Sequence, residues 1–240
     1  MYRLYPCGDC AVTVEFSRKI DAEAGKQALR LAGALEEQRA LGLCEIIPTY
    51  RSVTVCYDPL RLSFKELKRL IARCVKTDDT MLQHTVRRYK IPVCYGGAYG
   101  EDLSFVAVHT GLSPREIVYR HISRDYLINM IGFLPGFPYL SGMDESIAVP
   151  RMENPREKIP AGAVGIGGVQ TGIYPIASPG GWRLIGRTPL RLYDPKREPP
   201  VLYSAGDHIR FWPISETEFD AIARDVEAGV YAVESEVIRA

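Results

Sequence analysis

Gly132-Phe-Leu-Pro-Gly-Phe-Pro-Tyr-Leu140 opens a stretch, running to Leu190, that holds eleven glycines and eight prolines in 59 residues. That density excludes a long helix, because proline breaks the helical ladder and glycine weakens it. Segments 163–166, 182–185 and 190–193 are nevertheless strand-like. Short strands joined by shaped loops imply a β-barrel or sandwich. The segment 133–139 is too apolar for an ordinary exposed loop, and is expected to line a pocket, cover the core or meet a partner.

Outward from this region the periodicities change. Residues 2–7 and 10–16 read as a hairpin around a two-residue Gly8-Asp9 turn, with Val12, Val14 and Phe16 on one side. From Asp21, a good N-cap, Ala24, Ala28, Leu31, Leu35 and Leu41 recur at helical spacing until Gly42 offers a C-cap. Segments 46–50 and 52–57 are β-rich, and Ser63-Phe-Lys-Glu66 forms a capping box ahead of Leu67, Leu70 and Ile71. The pattern is ββαββα. A polar stretch without periodicity follows Lys76, then a β-like run over 84–93, which places the domain boundary near 84. Two short helices come next, the second signalled by Ser113-Pro114-Arg115-Glu116 and ending near His121 or Ile122. Phe219, Ile222, Ala223 and Val226 mark a terminal amphipathic helix.

Thirty Lys plus Arg against 29 Asp plus Glu leave a net charge of +1, which gives no global field for nucleic acid or an anionic membrane surface. A 46% apolar content is too high for a disordered chain. With no export signal or spanning segment in view, cytoplasmic localisation is expected, and Cys7, Cys10, Cys44, Cys56, Cys74 and Cys94 are expected to be reduced thiols. Cys7-Gly-Asp-Cys10 lacks a second pair of ligands, so no metal site is expected.

No G-x-x-x-x-G-K-[ST], G-x-S-x-G or H-E-x-x-H occurs. The cluster Gly165-Ile-Gly167-Gly168-Val-Gln170 lacks the third glycine of a dinucleotide fingerprint. More informative is 158–193, which holds Lys158, Arg183, Arg187 and Arg191 but no acidic residue. Arginine forks and glycine-rich backbone suit a carboxylate or phosphate there, unless the side chains scatter over opposite strand faces. His121, at a helix end, is either a proton carrier whose cation the helix C-terminus favours, or a helix-end or surface residue. Gln170, Tyr174 and Trp182 can orient a polar ligand or satisfy loop backbone.

His121-x4-Tyr126, Gly132-Phe-Leu-Pro-Gly-Phe-Pro-Tyr-Leu140, Pro150-Arg151, Pro155-Arg156, Pro160-Ala-Gly162-x-Val-Gly-Ile166, Gln170-Thr-Gly-Ile-Tyr-Pro175, Pro179-Gly-Gly-Trp182 and Ile185-Gly-Arg-Thr-Pro189 occur in one order. In that order, with Gly8-Asp9, Pro48-Thr-Tyr50, Tyr57-Asp-Pro59 and Ala205-Gly-Asp207, the chain resembles the family of bacterial 5-oxoprolinase subunits of the B type over nearly its whole length. That family is also described as sporulation-kinase inhibitor-like proteins or allophanate hydrolase subunit 1.

The resemblance implies an α+β chain: a small N-terminal α+β domain, residues 1–84, followed by a C-terminal cyclophilin-like β-barrel, residues 85–240. It implies a second cyclophilin-like subunit and a third subunit as partners in an ATP-dependent 5-oxoprolinase, which opens a carboxylate-bearing lactam to glutamate. The chain alone would then be inactive. His121 is carried over as proton carrier, Gln170 and Tyr174 as orienters, and Arg187 as anion partner. Arg151, Arg156, Trp182, Phe133 and Gly136 are carried over as substrate-binding. Alternatives are an inhibitor of a sensor histidine kinase, or the carboxyltransferase half of a urea carboxylase-like system. The chain has no Met-Lys dipeptide, so biotin would have to come from elsewhere.

Overall fold

Alternating apolar residues and two amphipathic helices build the first of two compact units, 1–85 and 86–240. The computed structural model describes residues 2–19, 22–76 and 85–238. In the first unit β1 (Arg3–Pro6), β2 (Ala11–Glu15), α1 (Ala22–Glu36), β3 (Leu43–Pro48), β4 (Ser52–Tyr57) and α2 (Phe64–Cys74) give an antiparallel sheet of order β1-β2-β4-β3. Val12, Val14, Val53 and Val55 point to the face covered by Ala28, Leu31, Leu35, Leu67 and Ile71, the period-2 and period-3.6 stripes meeting as such patterns require. The Ser63–Glu66 capping box forms as its spacing predicts.

Two local expectations fail. The opening turn is wider than two residues: pairing ends at Pro6–Val12 and the Cys7 N–H donates to the Ala11 carbonyl. The first helix stops at Glu36, and Leu41 lies on a separate 3-10 turn that Gly42 closes at φ 102°. Asp21 and the stretch 77–84, the expected cap and the expected linker, lie outside the described residues.

The second unit contains β5 (Val86–Tyr95), α3 (Leu103–Thr110), α4 (Pro114–Ile122), β6 (Asp125–Ile131), β7 (Pro138–Ser141), β8 (Arg156–Ile159), β9 (Ala163–Gly167), β10 (Gln170–Ile173), β11 (Ser178–Gly180), β12 (Arg183–Arg187), β13 (His208–Pro213), α5 (Glu216–Glu227) and β14 (Ser235–Ile238). Seven strands run β10-β9-β12-β5-β13-β6-β7, with β14 added beside β5. All neighbours are antiparallel except β13 and β5. The end strands approach each other: a Cβ on Gly172 of β10 would stand 3.1 Å from the Pro138 carbonyl oxygen of β7. The result is the nearly closed barrel expected, with Ile91, Val93, Tyr126, Ile128, Ile166, Ile185 and Phe211 filling it. Residues 190–193, expected as a strand, contribute only an isolated bridge between Tyr193 and Val201. The flanking Pro189 and the turns after Tyr193 leave no room for a ladder.

Candidate active site

Three glycines set one end of the barrel. Cβ atoms on Gly167, Gly172 and Gly180 would stand 2.5 Å from Trp182 Nε1, 3.1 Å from Trp182 Cζ3 and 2.5 Å from the Tyr174 hydroxyl. Only backbone without side chains lets these rings lie so close. Phe137 is the hub, its ring centroid 5.6 Å from Trp182, 5.4 Å from Tyr174, 5.2 Å from Tyr139 and 5.6 Å from Phe133, all edge-on. Edge-to-face pairs add about 0.5–1.5 kcal/mol each beyond burial. Trp182 and Tyr174 are buried, whereas Phe133 is 64% exposed.

Phe133 also has strained backbone. Its φ is 66°, the one positive value at a non-glycine among the described residues, and the Leu134 N–H donates to the Gly132 carbonyl at 2.8 Å. This is a γ-turn of the rare positive-φ kind, and it presents an aromatic ring to solvent at the edge of the cluster. Gly136 serves the same loop: φ is 81°, a Cβ would stand 3.1 Å from Tyr193 Cβ, and its carbonyl accepts from Tyr203 Oη at 2.8 Å.

Arg151 supplies the charge at this end. Its guanidinium lies 5.6 Å from the Trp182 ring centroid, the residue is exposed, and it makes no ion pair among the described residues. Tyr174 accepts from the Trp182 backbone N–H, and burial raises its pKa against the pull of Arg151 and Arg156, so it is a neutral hydroxyl. Gln170 begins β10 opposite Gly167, the two residues flanking a Gly168-Val169 turn. The glycine cluster is therefore a hairpin.

The linear acid-free stretch is not acid-free in space. Arg156 bonds Asp102 Oδ1 at 3.0 Å and Glu101 Oε1 at 3.0 Å, and Arg183 lies 3.7 Å from the same Asp102 oxygen. Asp102 Oδ2 accepts from the Leu184 N–H at 2.7 Å. Arg183 also stacks 3.7 Å over Phe105, while Arg187 donates to the Ala161 carbonyl at 2.9 Å and lies 6.0 Å from Phe219. A β-bulge between Leu184 and Gly186 breaks the simple face rule for these two arginines.

His121 lies elsewhere, fully buried in the barrel interior. Its Nδ1 is 2.8 Å from Tyr95 Oη, and its Nε2 is 2.9 Å from Thr171 Oγ1. Burial lowers its pKa from 6.5 to about 3, so the cation expected at a helix end does not form; desolvation outweighs the helix C-terminus. The four residues carried over as catalytic thus have separate settings: His121 in the interior, Tyr174 in the aromatic cluster, Gln170 on the hairpin beside it, and Arg187 against Ala161 and Phe219. Tyr95 and Thr171 escaped the sequence reading, because hydroxyls on strand-like runs carry no local signal. Among the described residues no group of three His, Cys, Asp or Glu side chains could hold a metal ion.

Comparison with known proteins agrees with this architecture. The family described as carboxyltransferase domain, subdomain C and D, matches residues 2–203. The B-type subunit of the Bacillus subtilis 5-oxoprolinase is 42% identical over 230 residues, covering 92% of this chain and 96% of that protein. The chain belongs to the family of 5-oxoprolinase subunits of the B type. A conserved uncharacterized protein of Pyrococcus horikoshii, 45% identical, covers 90% of this chain with all of its own and superposes with a TM-score of 0.54. The crystallised protein TTHA0988 is 39% identical over 86% of this chain with a TM-score of 0.75, and this chain spans only 40% of its length. Within the family frame, the aromatic end gathers Trp182, Tyr174, Phe133, Gly136 and Arg151. Arg156 is already bound to carboxylates.

Proposed function

We propose that the chain is one subunit of an ATP-dependent 5-oxoprolinase that opens 5-oxoproline to glutamate. The observation that carries this reading is the 42% identity over 96% of the B-type subunit of such an enzyme. The aromatic end supports it in chemical terms, since a lactam bearing a carboxylate needs a flat apolar platform and a cation beside it. Trp182 and Phe137 offer the platform, and Arg151 offers an unpaired planar fork. Tyr174, kept neutral by burial, offers a donor whose oxygen is already oriented by the Trp182 N–H. Gln170 is the amide nearest in sequence to this floor. Arg187 is proposed as anion partner, with its Nε bracing the Ala161 carbonyl.

ATP would supply the activation by phosphorylating the lactam oxygen and releasing ADP; water would then add to the adjacent carbon, the ring nitrogen would leave as the amine, and a second water would release phosphate from the resulting acyl phosphate to give glutamate. The chain has no G-x-x-x-x-G-K-[ST] loop, so nucleotide binding is assigned to the assembled complex. A second cyclophilin-like subunit and a third subunit are proposed as partners. The exposed Phe133 and the 40% share of a longer homologous chain support a module that works beside others. Purified chain should give no turnover with 5-oxoproline and ATP, and turnover should appear when the two partner subunits are added. Full turnover by the chain alone would refute shared-site catalysis. The carboxyltransferase description of the matching family favours one second reading, carboxyl transfer from carboxybiotin to urea, which the same preparation tests with urea and a biotin carrier.

A further inference from the structure

Counting protons fixes the polarity of the chain of hydrogen bonds inside the barrel. Thr171 has one hydroxyl proton, and it donates to the Gly165 carbonyl at 3.1 Å. Towards His121 it must therefore accept, which requires the proton on His121 Nε2; in the neutral ring the lone pair is then on Nδ1. That lone pair accepts from Tyr95 Oη. The bonds run in one direction, Tyr95 to His121 to Thr171 to Gly165, and link β5, α4, β10 and β9. Burial lowers the His121 pKa to about 3, and a second proton on Nδ1 would take away the acceptor of the Tyr95 hydroxyl proton, so the neutral ring suits this chain.

The strands it reaches are the ones that need help. β9, β10 and their turn contain Gly165, Gly167, Gly168 and Gly172, and glycine-rich strands specify their register weakly. Three of these glycines form the floor under Trp182: Cβ atoms on Gly165, Gly167 and Gly172 would meet Trp182 at 3.1, 2.5 and 3.1 Å. Thr171 lies between Gln170 and Gly172, opposite Ile166. A one-residue slip would carry Thr171 away from His121 and leave a buried polar group unpaired, at a cost of about 1–3 kcal/mol.

We propose that Tyr95, His121 and Thr171 are positioning residues, a directed hydrogen-bond chain that pins the register of the β9–β10 hairpin and so holds Gln170 and the Trp182 platform in place for the substrate. The assignment rests on the oxoprolinase reading for its substrate, and not for its geometry. His121 then acts as a fixed neutral link and carries no proton in the reaction.

The test uses the chain reconstituted with its partner subunits, comparing wild type with Thr171→Val, Thr171→Ser and Tyr95→Phe. Thr171→Val keeps the shape and loses the hydroxyl; it should raise KM for 5-oxoproline ~10-fold while kcat stays within about twofold, and Thr171→Ser should restore KM to within about twofold of wild type. Wild-type KM in Thr171→Val overturns the proposal. So does a fall in kcat that merely tracks the folded fraction, with KM unchanged. Two readouts stand apart from turnover: nitrogen-15 NMR of His121 should show the Nε2–H tautomer, and in a Trp212→Phe background Trp182 emission should shift in Thr171→Val but not in Thr171→Ser. A wild-type complex without turnover sinks the oxoprolinase reading, and these two signals then decide the positioning proposal alone. The Nδ1–H tautomer, or unmoved emission, refutes it.

Discussion

The barrel interior around His121 and the barrel end around Trp182 are both aromatic and both hold polar groups, yet they differ in what is left unsatisfied. Around His121 the ring contacts are matched by a closed set of hydrogen bonds, and the Tyr126 hydroxyl adds one to the His121 carbonyl at 2.7 Å. At Trp182 an exposed guanidinium lies on an indole without an acidic partner among the described residues, beside a strained, exposed phenylalanine. A strongly shifted pKa marks both functional and structural groups. Here unpaired charge and stored strain separate the two better than the shift does.

The contrast breaks first if Trp182 is dispensable. Trp182→Ala removes the ring on which Phe137, Tyr174, Gly167 and Gly172 converge, and should lower barrel stability by about 3–5 kcal/mol in chemical denaturation. A loss under about 1 kcal/mol would mean that the glycine floor closes without it.

The interior is sharpened by pH. Unfolded histidine titrates near 6.5 and folded His121 near 3, so between those values the unfolded chain binds the extra proton. The stabilising difference is fully present above about pH 6.5 and declines as pH falls through that window, by about 1.4 kcal/mol per pH unit. His121→Gln should show a flatter stability curve between about pH 7 and 5 than wild type. Parallel curves would contradict a buried neutral histidine.

Arg151→Ala should raise KM for 5-oxoproline in the reconstituted complex ~10-fold, equivalent to about 1.4 kcal/mol, with the thermal midpoint unmoved. Unchanged KM would take the charge out of the site. Smallest is Arg191→Ala: its pairing with Asp194 is exposed, and such pairs contribute about 0–1 kcal/mol. A larger loss of stability would show that exposed arginines here do more than their geometry implies.

Much of the fold was legible because its signals are local. Ser63 and Ser113 announced their helices, alternation announced β2, β-rich composition announced β4, and the Gly/Pro-rich stretch announced a barrel or sandwich. The end of α1 at Glu36 was not legible, since Leu41 keeps the helical period on the separate turn that follows. The site was read less well, for a physical reason. Arg183 and Arg156 find their acid in Asp102, 81 and 54 residues away in sequence, and no window along the chain shows that neutralisation. His121 at a helix end looked cationic because the helix axis is visible in the sequence and the barrel that buries it is not. Trp182, Phe133 and Arg151 were legible as motif residues, whereas their convergence depends on Gly167, Gly172 and Gly180 giving way to the rings.

The most direct measurement is Trp182 emission in the reconstituted Trp212→Phe complex, titrated with 5-oxoproline. A saturable change is expected, and Arg151→Ala should shift it to about tenfold higher concentration. Turnover of 5-oxoproline with no change in Trp182 emission across the titration would contradict a substrate site at this end of the barrel.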